Sequence, residues 1–288
     1  MSAKFPIIAV TGSSGAGTSR TQPLFTRLFD ELGVRAAFVE GDSFHAYDRE
    51  QMLAILGRAQ VRGENFSHFG PAANLWERLQ ALFEDFGKHG TGKVRRYLHT
   101  EAEAIAAGQN VGSFTSWESL PPCDVLFYEG LHGAVVAGEI DVACHADLLI
   151  GMTPTVNLEW IQKIQRDTRE RGYDAQAVTR TILRRMPDYV TYITPQFSRT
   201  DVNFQRVPLV DTSNPFDARA TPNPDESLVV IHVNEHSRLE ADFDELLTEI
   251  PDAFRSRPDT LVVRGEHMEL AMELALKPAL QRLLANRK

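Results

Sequence analysis

Apolar residues are concentrated in six short runs along the chain. Most of these runs lack the alternation of polar and apolar residues that marks a strand with one exposed face. They therefore predict a wound, largely parallel sheet that is covered by helices on both faces. The six runs are residues 6–10 (PIIAV), 35–40 (RAAFVE), 124–130 (DVLFYEG), 147–152 (DLLIGM), 227–233 (SLVVIHV) and 260–265 (TLVVRG).

Other segments repeat apolar residues at a spacing of three to four, which predicts amphipathic helices. The last of them contains Pro278, where we expect a kink or a break. Residues 66–117 are rich in glycine, histidine and aromatic residues and have little strand pattern, so we interpret them as an excursion near the active face of a single α/β domain, 1–288. The predicted helices cover residues 24–33, 73–87, 157–172, 175–190 and 267–284.

The first motif that can carry chemistry is GSSGAGTSR, which follows the first apolar run. It has the glycine spacing of a phosphate-binding loop, although Thr18 stands where lysine is usual. A strand, a glycine-rich turn and a helix N-terminus together present several backbone N–H groups to a phosphate. A glycine-rich turn after a strand is also common without such a role. The predicted phosphate-binding residues are Gly12, Ser13, Ser14, Gly15, Ala16, Gly17, Thr18, Ser19 and Arg20.

The second motif, EGDSFHAYDR, follows the second apolar run. Because the carboxyl ends of parallel strands share one edge of a sheet, Asp42, His45 and Arg49 should lie opposite the phosphate loop. Asp42 is suited to accept a proton from a hydroxyl, and His45 and Arg49 are suited to hold an anionic group. The alternative is that Asp42 caps the next helix and Arg49 is a solvated charge.

Glu129 ends the third apolar run, in an arrangement that resembles a Walker B strand. There the carboxylate holds Mg²⁺ or its water shell, and the hydroxyl of Ser19 occupies the other position that usually ligates this metal. Taken alone, a glutamate at a strand end more often faces solvent.

The densest basic stretch in this acidic chain is WIQKIQRDTRERGY. On a helix, Lys163, Arg166 and Asp167 lie within about one turn, and Arg171 follows them. These cations can neutralise charge on a transferring phosphoryl group, which is a role that a loop lysine otherwise shares. For Arg169 we favour a simple position on an exposed helix surface.

Two weaker signals involve paired residues. The first pair, Tyr97 and His99, and the second pair, Arg184 and Arg185, are candidates for ligand or regulatory contacts. Paired arginines are more often surface or interface residues. In the polar segment 194–216 we expect Asp211 and Asn214 to build turns.

Composition narrows the class of protein. Asp and Glu outnumber Lys and Arg by 39 to 30 in 288 residues, a net charge of -9, which argues against a nucleic-acid or anionic-membrane binder. The two cysteines, Cys123 and Cys144, lack metal-site spacing and do not suggest a disulfide framework. Without a signal-peptide pattern or a membrane-length apolar run, we expect a cytoplasmic protein.

These motifs in this order resemble the phosphoribulokinase and uridine kinase superfamily, and in detail its bacterial phosphoribulokinase type. The similar blocks are GSSGAGTS, EGDSFH, FYEGLHG, NLEWIQKIQRD, TRERGY, LRRM, PQFS, NFQRVP and VDTSNPF, which span most of the chain. The resemblance implies a P-loop NTPase-like mixed sheet. It also implies ATP- and Mg²⁺-dependent phosphorylation of ribulose 5-phosphate at its 1-hydroxyl, which serves carbon fixation in the Calvin cycle.

By motif position, the resemblance implies that Asp42 is the base and that Asp167 is a second essential carboxylate near the metal or the hydroxyl. Lys163 would act on the transferring phosphoryl group, and Ser19 and Glu129 would serve Mg²⁺. It further implies a homo-oligomer that NADH activates and AMP inhibits, with Arg184 and Arg185 in the allosteric block. The implied substrate-binding residues are His45, Arg49, Tyr97, His99, Arg166 and Arg171.

Two alternatives stay open on the sequence. One is a uridine-kinase-like nucleoside kinase, and the other is a catalytically silent paralogue that only binds nucleotide. Arg20 stands where the family usually has a small hydroxyl residue, and Pro23 follows closely. We therefore expect this chain to differ from the family in the contact of the loop with ATP and in the start of the following helix. Ala16 stands where plant-type enzymes carry a redox-active cysteine, so no thiol switch is expected there.

Overall fold

The protein was analysed as a computed structural model that describes residues 4–13, 16, 18, 21–169, 172–217 and 220–285. Its described part contains an eight-stranded mixed sheet in the order β11-β12-β10-β9-β8-β1-β5-β2, and two short two-stranded sheets, β3-β4 and β6-β7. The strands are β1 Ile7–Gly12, β2 Ala36–Glu40, β3 Lys93–Val94, β4 Glu118–Ser119, β5 Val125–Gly130, β6 Val136–Ala137, β7 Ile140–Asp141, β8 Leu148–Met152, β9 Val202–Pro208, β10 Ser227–Val233, β11 Phe254–Arg257 and β12 Thr260–Arg264.

The sheet is parallel from β2 to β9 and antiparallel from β9 to β11. This confirms the predicted α/β class, and all six apolar runs are strands of the large sheet. Sequence reasoning missed β9, whose residues alternate between apolar and polar, and β11, in which all four residues are exposed.

Helices cover both faces of the sheet, and the five predicted ones are confirmed. Three others were missed: α2, α4 and α7. The helices are α1 Thr21–Glu31, α2 Arg49–Arg62, α3 Trp76–His89, α4 Glu101–Ala107, α5 Val156–Arg169, α6 Ala175–Asp188, α7 Phe243–Glu249 and α8 Met268–Ala285.

Of the kink or break expected at Pro278, the break is wrong, because α8 continues through this residue to Ala285. A proline inside a helix costs about 3 kcal/mol through its missing N–H and its ring. Buried side chains on both sides of Pro278, including Leu276 and Leu280, anchor the helix to the core and offset that cost. The turns expected near the end of the polar segment do form, since Asp211 and Asn214 accept hydrogen bonds from nearby backbone N–H groups.

The core has two main layers, one on each face of the sheet. Along β1, Ile8 and Val10 point into the layer that contains α1 and α8, whereas Ile7 and Ala9 point into the layer that contains α3. Every residue of β1 is buried, which explains why its sequence is apolar without alternation. Among the helices that the structure describes, none has the length and apolar character needed to cross a membrane.

Asp201 forms hydrogen bonds at the amino-terminal ends of the parallel strands β8 and β9, opposite the end that carries the phosphate loop. Its carboxylate accepts the backbone N–H of Leu149 at 2.8 Å and that of Arg238 at 2.9 Å. We expect Asp201→Ala to lower the free energy of unfolding by about 2–4 kcal/mol, because each buried amide left without an acceptor costs about 1–3 kcal/mol. Asp201→Asn keeps one acceptor oxygen and should lose about half as much. Urea unfolding followed by circular dichroism measures both, and equal stability of all three proteins would contradict the prediction.

Candidate active site

The phosphate loop leaves the carboxyl end of β1, the strand between β5 and β8 in the sheet. Gly12 is tightly enclosed there, since a Cβ at this position would lie 2.7 Å from Cγ2 of Thr18 and 2.8 Å from the carbonyl oxygen of Met152. The N–H of Ala16 donates to the carbonyl of Ser13 at 2.9 Å, which closes a turn. The hydroxyl of Thr21 donates to the carbonyl of Thr18 at 2.6 Å and joins the loop to α1.

Several predicted site residues lie outside the part of the chain that the structure describes. They are Ser14, Gly15, Gly17, Ser19 and Arg20 of the loop, and Arg171 after α5.

Asp42 lies in a short turn, Gly41–Phe44, directly after β2. The ends of β2 and β5 approach each other closely at this point. A Cβ on Gly41 would lie 2.9 Å from Cα of Gly130, and a Cβ on Gly130 would lie 2.7 Å from Cα of Gly41. Only glycine fits at both positions without a shift of the backbone. Asp42 does not cap the next helix, since Asp48 is the N-cap of α2.

Two histidines flank the Asp42 carboxylate, which is 45% exposed. Nε2 of His45 lies 3.1 Å from Oδ1, and Nε2 of His99 lies 3.8 Å from Oδ2. Burial by itself would raise the pKa of Asp42, but the hydrogen bond and charge of His45, helped by His99, hold it well below its usual range. A hydrogen bond with Glu40 raises the pKa of His99. Asp42 is therefore an ionised carboxylate at neutral pH.

Glu129 lies beside this pair at the end of β5. It pairs in register with Val10 of β1 and with Glu40 of β2, so two carboxylates stand on neighbouring strands. Burial raises the pKa of Glu129, and the charges of Asp42 and Glu40 raise it further, whereas a hydrogen bond from Thr18 opposes the shift. The strand-end rule thus brings Asp42, Glu129 and the phosphate loop to one place, as predicted.

Concentrated negative charge next to the phosphate loop suits a cation. Among the described residues, no group of three or more histidine, cysteine or acidic side chains is arranged to enclose a metal ion. Mg²⁺ needs no such enclosure, because it is usually held by one or two carboxylates together with phosphate oxygens and water. The repulsion that raises the pKa of Glu129 is the feature that a bound cation would relieve.

The predicted basic cluster forms on α5. Nζ of Lys163 lies 2.5 Å from Oδ2 of Asp167, and Nε of Arg166 lies 3.2 Å from Oδ1 of the same carboxylate. Lys163 and Asp167 are buried. Burial and the nearby charge of Arg185 lower the pKa of Lys163 to about 8, although Asp167 opposes the shift. Lys163 therefore loses its charge more readily than an ordinary lysine does.

Arg185 interacts electrostatically both with Lys163 on α5 and with His68, which packs against His45. It lies on α6, which packs against α5, and its guanidinium stands 5.4 Å from the ring centre of Phe69. Burial lowers the pKa of His68, and the charges of His45 and Arg185 lower it further, so Arg185 acts on both His68 and Lys163. His68 in turn stacks on His45 with the ring centres 4.3 Å apart. The electrostatic contacts therefore run from α5 to Asp42 through Arg185 and two histidines.

A second connection joins α5 to the phosphate loop. Buried Glu159, one turn before Lys163, accepts a hydrogen bond from the hydroxyl of Tyr189 at 2.9 Å. Burial raises the pKa of Glu159, and the hydroxyls of Ser13 and Tyr189 oppose this, so the start of the loop lies against α5. Tyr189 begins a π-helical turn, Tyr189–Ile193, which follows α6 directly. Such turns are frequent at functional sites.

The structure also describes three other predicted residues, Arg49, Tyr97 and Arg184. Arg49 is exposed at the start of α2, and its side chain covers Gly112. Tyr97 packs edge-on against His99 at 4.8 Å between ring centres. Arg184 is half-buried on α6, where burial lowers its pKa.

Several polar residues of the site were missed by sequence reasoning. The buried side chain of Gln196 accepts from Thr11 at 2.9 Å and donates to the carbonyl of Leu131 at 2.8 Å, which ties β1 to the loop after β5. The Arg95 guanidinium donates to the carbonyls of Ser43 and His45 and fixes the turn that carries Asp42. Gln196 lies in PQFS, one of the blocks that carry the resemblance, and this was the available signal for it. Glu159 likewise lies in the block NLEWIQKIQRD, whereas His68, Asn74 and Arg95 belong to none of these blocks.

Comparisons with known proteins agree with this geometry. The model of the Phosphoribulokinase / Uridine kinase family matches residues 7–213. The chain is 54% identical over 290 residues to the plasmid phosphoribulokinase of Cupriavidus necator, covering 100% of this chain and 99% of that protein. It is 53% identical over 289 residues to the probable phosphoribulokinase of Escherichia coli K12, with coverage of 100% and 99%.

Among solved structures, the chain is similar to the phosphoribulokinase from Rhodobacter spheroides. The two share 46% sequence identity and a TM-score of 0.90, and the similarity covers 99% of each chain. A family model that matches most of the sequence, full-length relatives and a common fold all agree with the motif resemblance. The chain therefore belongs to the phosphoribulokinase and uridine kinase family.

Proposed function

We propose that this protein transfers the γ-phosphoryl group of ATP to the 1-hydroxyl of D-ribulose 5-phosphate and so makes ribulose 1,5-bisphosphate. The observation that carries the proposal is the ionised Asp42 carboxylate. It contacts His45 and lies at the carboxyl ends of the parallel strands, where the phosphate loop also begins. The names of the full-length relatives support the choice of acceptor. They do not favour the uridine-kinase-like alternative.

The proposed mechanism divides the work between two groups of residues. Asp42 takes the proton of the acceptor hydroxyl, whose oxygen then attacks the γ-phosphorus. Lys163, held by Asp167, stabilises the negative charge of the transferring group. The presence of all these side chains in one site argues against a catalytically silent paralogue.

Residues that bind ATP and residues that bind the sugar phosphate are assigned by their positions in the motifs. Gly12, Ser13, Ala16 and Thr18, with the other residues of the loop, bind the phosphates of ATP. Mg²⁺ neutralises the phosphates when it is bound, and Glu129 and Ser19 would hold it. The residues proposed on the side of the sugar phosphate are His45, Arg49, Tyr97, His99, Arg166 and Arg171.

Residues 66–117 are proposed to form part of the active face within a single domain. Arg95 and His99 of this segment contact the turn that carries Asp42, and Tyr97 packs against His99. The helices α3 and α4 and the strand β3 lie within the same stretch, so it contains regular structure of its own.

Regulation and cellular context are finer parts of the proposal. We propose a cytoplasmic homo-oligomer of the Calvin cycle that NADH activates and AMP inhibits, with Arg184 and Arg185 in the responding region. The charge of Arg185 already acts on Lys163, so a movement of α6 would change the catalytic cluster directly. Both cysteines are free thiols, which is compatible with a reducing compartment.

The proposal is tested by measuring ADP release with ribulose 5-phosphate or with uridine as the acceptor. We expect turnover with the sugar phosphate alone, together with a bisphosphate product that mass spectrometry identifies. Preferential turnover of uridine would support the nucleoside kinase alternative. ATP binding without turnover of either acceptor, or hydrolysis independent of acceptor, would exclude the proposed reaction.

A further inference from the structure

Asn74 is a buried residue between the turn Pro71–Ala73 and α3. Its side-chain nitrogen donates to the carbonyl oxygen of His68 at 2.8 Å and to that of Gly70 at 2.7 Å. An asparagine amide has two N–H donors and one acceptor oxygen. Because both donors are engaged by carbonyls, the orientation of the amide is fixed and Oδ1 faces His45.

This orientation decides where the ring of His45 carries a proton. Nδ1 lies 2.8 Å from Oδ1 of Asn74, and an amide oxygen only accepts, so Nδ1 is the donor. The other ring nitrogen, Nε2, lies 3.1 Å from Oδ1 of Asp42. A carboxylate also accepts, so this contact is a hydrogen bond when Nε2 carries a proton as well. Each nitrogen of the imidazole therefore faces an acceptor oxygen within the protein.

The surroundings prevent the ring from turning. A backbone bridge joins His45 to Asn74, the N–H of Ala46 donates to the carbonyl of Ala73, and the N–H of Leu75 donates to that of Phe44, both at 2.8 Å. The ring of His68 covers that of His45 at a distance of 4.3 Å between centres. His45 and Asn74 are each 7% exposed, so solvent has little access to compete for their hydrogen bonds.

We propose that Asn74 is a positioning residue, which holds His45 with Nε2 against Oδ1 of Asp42 and leaves Oδ2 as the oxygen that receives the substrate proton. This rests on the proposed role of Asp42 as the base. In the step itself, the O–H bond of the acceptor breaks and the proton moves to Oδ2. The oxygen keeps the electron pair and bonds to the γ-phosphorus, while the bond from phosphorus to the leaving oxygen of ADP breaks.

The same contacts define what His45 does. Since both of its nitrogens face acceptors within the protein, His45, which is proposed to lie on the side of the sugar phosphate, acts on the transfer step through the orientation of Asp42. On the other side of the carboxylate, His99 lies closer to Glu40, at 3.4 Å, than to Oδ2 of Asp42, at 3.8 Å. Oδ2 is thus the less restrained of the two carboxylate oxygens, as a proton acceptor must be.

The first measurement needs no substrate. In protein with ¹⁵N-labelled histidine, long-range ¹H–¹⁵N spectra distinguish protonated from unprotonated ring nitrogens, and the signals of His45 are assigned by their loss in His45→Gln. We expect Nδ1 of His45 to be protonated in the wild-type protein. Asn74→Leu removes the acceptor and should shift His45 toward a tautomer in which Nδ1 is unprotonated. An unprotonated Nδ1 in the wild-type protein overturns the proposal, whether or not the variant folds.

The second measurement is kinetic, and it separates positioning from support of the loop. We expect Asn74→Leu to lower kcat about 10- to 100-fold, the loss expected when a reacting group is displaced by roughly 1 Å, with the KM for ATP changed by less than about twofold. The control is Ser67→Ala, which removes the hydrogen bonds of Ser67 to Asp188 and to the N–H of Phe69 in the same turn without touching His45. It should keep the wild-type spectrum of His45 and the wild-type kcat.

An equal fall in kcat for both variants, or an unchanged kcat for Asn74→Leu, overturns the proposal. The kinetics are read with whichever acceptor the wild-type protein phosphorylates. If the protein shows no activity on ribulose 5-phosphate but His45 gives the expected spectrum, the proposed function is wrong and the proposed orientation of the His45 ring still holds. If the protein phosphorylates ribulose 5-phosphate but Nδ1 of His45 is unprotonated, the proposed role of Asn74 is wrong and the proposed function still holds.

Discussion

Replacement of Asp42 by asparagine should lower kcat by about 10²- to 10⁴-fold, the contribution typical of a general base. The amide keeps the size of the side chain and an oxygen for the hydrogen bond with His45, but it cannot take a proton from the acceptor hydroxyl. The KM for ATP should change little, because the phosphate loop and α1 are unaltered. Steady-state kinetics with ribulose 5-phosphate, and the thermal unfolding of each protein, measure these effects.

Asp48→Asn is the matched control for this experiment. Asp48 is the N-cap of α2 and accepts the N–H of Gln51 at 2.8 Å. Asparagine caps helices about as well as aspartate does, so both stability and kcat should stay close to those of the wild-type protein. If Asp42→Asn kept more than about a tenth of the wild-type kcat, a general base at this position would be excluded.

Replacement of Lys163 by methionine should cause the second large loss, of about 10²- to 10³-fold in kcat, because a fixed charge that meets the transferring phosphoryl group is removed. The matched control on the same helix is Arg169→Met, at an exposed position in the last turn. Arg169→Met should keep a kcat close to that of the wild-type protein, because Arg169 is exposed and lies outside the pair formed by Lys163 and Asp167. A similar loss of kcat in both variants would show that general positive charge, not Lys163, is needed.

The lowered pKa of Lys163 adds a pH dependence. Because this pKa is about 8 in the folded protein, the ammonium group loses its proton as the pH rises through that value, and kcat/KM should fall on this alkaline side. The folded state holds this proton less tightly than the unfolded chain does, so above pH 8 this group favours folding as pH rises. The expected loss of activity at high pH is therefore not caused by unfolding of the protein through this group. Lys163→Arg stays charged and should lack this decline.

The sequence predicts those parts of the fold and site that depend on local pattern. The central strands β1, β5 and β8 are buried on both faces, so each is a continuous apolar run that pattern alone detects. The rule that parallel strands end at one edge then places Asp42 and Glu129 together with the phosphate loop. The pairing of Lys163 with Asp167 follows equally from the spacing of four residues on a helix.

What sequence reasoning missed depends on tertiary contacts or on exposed surface. Helix α2 buries only Met52 and Ala59, so it has little apolar periodicity, and its ends are set by the capping box at Asp48 and by Gly63. Asn74 reaches His45 through a backbone bridge and His68 reaches it through a ring contact, and no local pattern encodes contacts between such distant parts of the chain. The continuation of α8 through Pro278 likewise depends on its packing against the core.

The close contact of Gly41 with Gly130 limits how the active face can be redesigned. Any side chain added at either position would collide with the opposite backbone or with the hydroxyl of Tyr128. Altered acceptor preference therefore cannot be engineered at these two strand ends. Libraries aimed at a new acceptor are better directed to the segment around Tyr97 and His99. Neither residue belongs to the large sheet, and His99 lies beside Asp42 while Tyr97 packs against His99.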